Sequence, residues 1–197
     1  MGRVFFNLYS SYKLKNQFRE ISYIGNFEDA GLPVLIISNH FSWWDGFIQL
    51  QLNNRFFKRR FHVMMLEEQL NKFRILNKGG AFSVQKNSRD IIESLNYSVE
   101  ILSDPKNVLL LFPQGEIQSL YTTYFRFESG LNYLLRNLET DIQLVFNVNL
   151  VDYLSNKKPE LKVYFKTYTL RSDSTLKRIE SDFNVFAKEC KLQQEEK

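Results

Sequence analysis

The sequence predicts an α/β domain: a mixed, mostly parallel sheet covered by helices. Three observations carry this. Short apolar runs at residues 34–37 and 108–112 lack period-two alternation, as strands buried on both faces do. Amphipathic stretches of helical spacing alternate with such runs, at residues 88–102, 128–138 and 176–190. The chain has 197 residues, 44% hydrophobic and 24% charged, enough to bury a core without staples.

The elements follow in order. Residues 3–23 read as a helix on which Phe5, Leu8, Tyr9 and Tyr12 share a face. It forms an N-terminal extension, residues 1–30, suited to packing on the domain or to lying in a membrane interface. Gly31-Leu32-Pro33 punctuates the chain, and residues 31–197 form the single α/β domain. Val34 to Ser38 is its first strand, and a helix starts at Asp45 and runs to Leu52. Phe61 to Met65 is a strand preceded by the cations Arg55, Lys58, Arg59 and Arg60. Gly79-Gly80 opens another at Ala81 to Val84.

Ser88 to Leu102 is the clearest helix, with Ile91, Ile92, Leu95, Val99 and Leu102 at helical spacing and Pro105 beyond its end. Val108 to Phe112 is a strand, and Glu128 to Leu138 a helix with Leu131, Leu134, Leu135 and Leu138 on one side. Ile142 to Val151 and Leu161 to Tyr168 are strands. In the second, Leu161, Val163 and Phe165 alternate with Lys162, Tyr164 and Lys166, which predicts one wet side. Leu176, Ile179, Phe183, Phe186 and Cys190 line the last helix.

Composition excludes several classes. A single cysteine rules out an internal disulfide framework. Two histidines and that cysteine show no metal-ligand spacing. The longest apolar runs fall far short of the roughly 18–20 residues of a membrane-spanning helix. Residues 1–10 lack the sustained apolar stretch of a signal peptide, so a cytoplasmic location is the expectation. A net charge of +4 and 15% aromatic residues suit anionic partners such as phosphates, acidic lipids or an acidic carrier protein.

Three segments carry candidate chemistry. In Asn39-His40-Phe41-Ser42-Trp43-Trp44-Asp45, His40 directly follows a buried strand, where open α/β sheets place ligands. Five positions on, Asp45 would lie about 140° away in a continuous helix, but an intervening turn lets the two side chains converge. A carboxylate on one imidazole nitrogen fixes the tautomer and leaves the other as a base. Phe112-Pro113-Gln114-Gly115-Glu116 forces a turn at a strand end and exposes backbone N–H groups. Gly80 to Lys86, followed by Arg89, places cations past a strand, within reach of a phosphate.

Together, in order and spacing, these segments resemble the motifs of the lysophospholipid acyltransferase superfamily, which includes glycerol-phosphate and lysophosphatidic acid acyltransferases. Asn39, His40 and Asp45 match its NH-x-x-x-x-D motif. Gly80 to Lys86 matches its glycine-to-arginine segment, with Lys86 at the arginine. Phe112-Pro113-Gln114-Gly115 matches FPEG, with Gln114 at the glutamate. Phe127-Glu128-Ser129-Gly130 is similar to the segment that often follows. The family's Val-Pro motif, expected near residues 144–148, has no proline here.

The resemblance covers roughly residues 33–150 and implies a glycerolphosphate-acyltransferase-like fold. It implies an O-acyltransferase moving an acyl group from acyl-CoA or an acyl carrier protein to a hydroxyl of a lysophospholipid or related lipid, without a cofactor. His40 would be the general base and Asp45 its orienting partner. Lys86, Arg89 and Phe112 to Glu116 would contact substrate. The implied partners are membrane lipid and the acyl donor, not nucleic acid, and the implied location is peripheral to the membrane. The alternative is a lipid- or acyl-chain-binding protein of the same fold with catalysis lost, suggested by Gln114 and the missing Val-Pro.

Overall fold

The computed structural model describes residues 2–66, 81–84, 88–171 and 174–195. Among the described residues seven strands form one sheet: β1 (Glu20–Gly25), β2 (Val34–Ser38), β3 (Arg60–Leu66), β4 (Ala81–Val84), β5 (Asn107–Leu111), β6 (Gln143–Asp152) and β7 (Glu160–Tyr168). Among the described residues the helices are α1 (Gly2–Gln17), α2 (Asp45–Leu52), α3 (Ser88–Ile101), α4 (Gly130–Arg136) and α5 (Leu176–Glu195), with a π-helical turn at Asn53–Phe57.

The sheet order is β1-β7-β6-β2-β5-β3-β4. Every neighbouring pair is parallel except β6 with β7. The mixed, mostly parallel sheet expected from the apolar runs is therefore what forms. β2 and β5 are buried along their whole length. Successive residues point to opposite faces, so each strand feeds two cores. Val34, Ile36, Val108 and Leu110 pack with Phe47 and Ile48 of α2 and with Phe6 and Leu14 of α1. Leu35, Ile37, Leu109 and Leu111 pack with Leu95 of α3, Leu131 and Leu134 of α4 and Phe183 of α5. Each such side chain contributes about 1.5–3 kcal/mol by leaving water.

Two expectations are corrected. The helix expected over residues 3–23 ends at Gln17, and residues 20–25 form the edge strand β1, parallel to β7. Arg19 N–H already bonds the Pro159 carbonyl at 2.8 Å, and the β-branched and aromatic Ile21, Tyr23 and Ile24 favour the strand. The packed face of α1 is also not the expected one. Phe6, Ser10, Leu14 and, just beyond, Phe18 are buried, whereas Leu8 and Tyr12 face solvent.

The second correction concerns the wet side expected on residues 161–168. Leu161 to Phe165 are all buried. β1 and β6 flank β7, so it is an interior strand, and α5 covers the face that carries Tyr164. The Tyr164 hydroxyl donates to Gln194 Oε1 of that helix at 3.1 Å. Cys190 lies in the same core, and burial pushes its thiol up to about 12, which makes it an inert packing residue.

Candidate active site

The site forms where β2 and β5 end side by side. Ile37 of β2 pairs with Leu111 of β5, so the chain leaves both strands at the same edge. The turn after β2 carries His40, and the turn after β5 carries Pro113 to Glu116. This edge is the carboxyl end of the parallel strands, the usual ligand crevice of open α/β sheets.

Between β2 and α2 the chain turns rather than running on as helix. Ser42 makes the turn: its carbonyl accepts Asp45 N–H at 3.2 Å and its Oγ accepts Trp44 N–H at 3.0 Å. The turn folds Asp45 back beneath His40. His40 Nδ1 lies 2.7 Å from Asp45 Oδ2. The same oxygen accepts the N–H groups of Phe41 at 2.8 Å and Ser42 at 2.9 Å. Three donors converge on one oxygen of a fully buried carboxylate. Burial pushes the Asp45 carboxyl up from its ordinary range, and the bonds from His40, Ser42 and Phe41 pull it part of the way back.

His40 is held from its other sides as well. Its ring stacks on Phe112, with centroids 4.1 Å apart and planes 15° apart. Its side chain is 16% exposed. With Nδ1 facing the carboxylate, Nε2 is the nitrogen left for another partner, and no described residue hydrogen-bonds it.

The structure places all of the sequence-predicted residues except Lys86. Gln114 is buried, its Oε1 accepting His40 N–H at 2.7 Å and its Nε2 donating to Gln118 Oε1 at 2.8 Å. It braces the two turns against each other. Pro113 is buried, and its carbonyl accepts Glu128 N–H at 2.8 Å. Gly115 has φ +71°, where a side chain is strained, and a Cβ there would meet Glu128 Cγ at 3.2 Å. Its N–H closes the turn on the Phe112 carbonyl at 3.1 Å, so it is already spent. Glu116 is exposed, and Gln118 Nε2 donates to its Oε1 at 3.2 Å. Arg89 stands in the first turn of α3, and Lys86 lies outside the described residues.

Sequence reasoning missed a buried polar layer beneath the dyad. Asn39 Nδ2 donates to the Asn149 carbonyl at 3.1 Å, and Asn39 Oδ1 accepts Asn149 N–H at 2.8 Å. Ser38 Oγ donates to Asn147 Oδ1 at 2.7 Å, and Gln49 Nε2 donates to the same oxygen. Asn147 Nδ2 in turn donates to the Tyr164 carbonyl at 2.9 Å. Asn147 and Asn149 sit in β6, in the stretch where the resemblance placed Val-Pro. Polar residues inside an otherwise apolar strand were the available signal.

Aromatic rings wall the α2 side. Trp43 and Trp44 lie edge to face at 5.5 Å, and both contact Phe47. Phe47 also touches Phe6 at 5.7 Å and Tyr9 at 6.3 Å, which ties α1 to the turn that carries the dyad. Among the described residues no group of three or more His, Cys, Asp or Glu gathers as metal ligands.

A buried Asp orienting a His at the carboxyl edge of the sheet, beside a Pro-Gly turn, is an arrangement fit for moving a proton at a hydroxyl. No curated protein matches the sequence significantly. The family model described as Acyltransferase matches residues 15–146, from the end of α1 into β6 and across both turns. That span is two thirds of the chain and holds every motif singled out above; the chain belongs to the acyltransferase family of the lysophospholipid and glycerolphosphate acyltransferases.

Proposed function

We propose that the protein transfers a fatty acyl group from a thioester, acyl-CoA or acyl carrier protein, to a hydroxyl of a lysophospholipid or related lipid. The family supports acyl transfer to lipid-type acceptors in general. The finer reading rests on one observation: His40 Nδ1 stands 2.7 Å from a buried Asp45 oxygen, which leaves Nε2 as the base.

In this reading Nε2 takes the proton of the acceptor hydroxyl. The oxygen attacks the thioester carbonyl carbon, and the carbonyl π pair moves onto its oxygen. When the tetrahedral centre collapses, the C–S bond breaks and the imidazolium returns its proton to the thiolate. An ester and a free thiol leave. Asp45 holds the tautomer that makes Nε2 basic and stabilises the imidazolium between the two steps. The Glu116 N–H, which has no acceptor among the described residues, is the donor we assign to the oxyanion. Lys86 and Arg89 are assigned to the acceptor's anionic group.

An amphiphilic acceptor requires the protein to meet lipid. No helix of the described residues is long and apolar enough to cross a membrane. We assign the contact to the outer face of α1, where Leu8 and Tyr12 are exposed one turn apart beside Lys13, and so to peripheral association. The test is release of free thiol from an acyl thioester, with lysophospholipids as acceptors. Acceptor-dependent release by the wild type, lost in His40→Ala, is the expected result. Stoichiometric binding of the acyl chain or lipid without turnover would instead favour the non-catalytic alternative.

A further inference from the structure

The opposite end of the parallel strands carries a second, cationic cavity. Arg55 and Lys58 bracket the end of the π-helical turn, Arg59 and Arg60 lead into β3, Lys106 precedes β5 and Asp29 precedes β2. These residues line a cavity of about 730 Å³. Of its five cations, Arg59 pairs with Asp29 and Arg60 with Asp104 at 3.3 Å, which leaves Arg55, Lys58 and Lys106 in excess, in a chain whose whole net charge is +4.

The cavity is built rather than a chance spread of surface lysines. Asn53 locks the turn: its Nδ2 donates to the Arg59 carbonyl at 2.9 Å and its Oδ1 accepts Arg59 N–H at 3.0 Å. Lys58 N–H bonds the Asn53 carbonyl at 2.7 Å, and Arg60 N–H bonds the Lys106 carbonyl at 2.8 Å. These backbone donors are spent, so binding falls to the side chains, of which Lys58 and Lys106 have no ion-pair partner among the described residues. Arg55 is laid over the Tyr23 ring at 5.2 Å. The Arg59 side chain is 8% exposed, Nη2 donates to Asp29 Oδ1, and its buried Nε–H has no acceptor. A buried donor without a partner is costly, and so is a ring of like charges. A small, multiply charged anion relieves the second.

We propose that this cavity binds a phosphate-bearing ligand with at least two negative charges. It is separate from the reaction site. β2 runs between the two ends, and its five residues span about 17 Å. The shared chemistry is a phosphate monoester or diphosphate, either the headgroup of an anionic lipid or a soluble phosphate compound. The assignment does not depend on the dyad or on acyl transfer.

Inorganic pyrophosphate, titrated calorimetrically into the full-length protein at low salt, is the direct probe. Saturable binding is expected, weakening as salt is added. Arg59→Gln should lower the affinity at least about tenfold, the worth of a charge-assisted bond. Arg59 pairs with Asp29, so the variant Lys58→Gln with Lys106→Gln, both at exposed positions, is measured beside it and should weaken binding too. His40→Ala should bind as wild type does. Flotation with phosphatidic acid vesicles against phosphatidylcholine vesicles separates the sources. A preference for phosphatidic acid that the lysine pair variant loses assigns a lipid headgroup. Pyrophosphate binding without that preference assigns a soluble ligand. Absence of both, or pyrophosphate binding that survives the cation variants or vanishes in His40→Ala, overturns the proposal.

Discussion

Gln114 Oε1 accepts the backbone N–H of His40 at 2.7 Å, and the Gln118 N–H bonds the His40 carbonyl at 2.8 Å. His40, the residue proposed as base, is thus clamped through both its backbone N–H and its carbonyl by the turn after β5. Position 114, glutamate in the family motif, here holds the site together through an oxygen that Gln and Glu share. Gln114→Glu should therefore keep activity within about tenfold and leave acceptor preference, compared as kcat/KM on two acceptors, unchanged. Gln114→Leu should lose activity and stability together. It strands a buried N–H at a cost of about 1–3 kcal/mol, and each kcal/mol lowers Tm by roughly 2–4 °C in a domain of this size. Full activity and Tm in Gln114→Leu would exclude the clamp.

His40→Ala should lower the rate of thiol release by about 10²–10⁴-fold, the range of positioned proton transfer. It should stay folded, with Tm at pH 7 lowered by a few degrees, because the buried Asp45 loses the His40 partner that offsets its burial. Wild-type turnover by folded His40→Ala would remove His40 from the mechanism.

Asp45 offers a test in which stability and activity move in opposite directions. Its carboxyl is pushed up in the folded state, so folding favours the protonated form. The stability this contributes is fully present below the unfolded value and is lost as pH rises through the folded one. Near neutral pH the charged, buried side chain is a cost. Asp45→Asn keeps the shape and an acceptor for the Phe41 and Ser42 N–H groups. It should be at least as stable as wild type at pH 7, with the advantage shrinking as pH falls to the ordinary carboxylate range. Its activity should fall by about 10²–10⁴-fold, because a neutral amide does not stabilise the imidazolium. Thermal melts of both proteins across pH, beside the thiol assay, read both effects.

Leu8→Glu with Tyr12→Glu tests the outer face of α1. Both residues are exposed, so Tm should hold, while binding to anionic vesicles should fall about tenfold or more for the lost apolar contact. Deleting the helix is a poorer experiment, because Phe6 and Leu14 belong to the core. Unchanged vesicle binding would move the contact off α1.

Asn147→Val fills β6 with an apolar residue and takes an acceptor from Ser38 Oγ and Gln49 Nε2 and a donor from the Tyr164 carbonyl. Ser38 Oγ keeps the Asn39 carbonyl at 3.1 Å and Gln49 Nε2 keeps Ser38 Oγ at 3.3 Å, so a loss of about 1–3 kcal/mol in all is expected, visible as a lower urea midpoint. A neutral result would show that the polar layer re-pairs internally.

The sheet and the dyad were legible in the sequence for physical reasons. β2 and β5 are so apolar that only burial on both faces explains them, and a His on the strand end with an Asp past a turn is a chemically directed pair. What stayed hidden depended on neighbours far along the chain. Residues 20–25 carry the strand-favouring Ile21, Tyr23 and Ile24 but no alternation to set them off from the helix before them, and their partner β7 lies 140 positions away. Alternation on β7 read as half-wet because the helix that covers Tyr164 is supplied by residues beyond 175. The stripe on α1 was read about one residue out of phase, since Leu8 and Tyr12 are as apolar as Phe6 and Leu14. The role of Asn147 and Asn149 depends on the end of β2, 109 and 110 positions away, where they bond Ser38 and Asn39.

β1 has one neighbour in the sheet, and it is the last strand to be made. Glu20 pairs with Glu160, 140 positions later (160 − 20). A chain growing from its N-terminus therefore completes β2 to β6 while residues 20–25 still lack a backbone partner. During that interval the open edge of β6 and the unmatched β1 are both free to pair with another chain. Closure of this far loop is slow relative to the local helices, and it waits for β7. Residues 20–25 thus gain their backbone partner only after the strands between them and β7 are made, so the β1 edge of the sheet closes late.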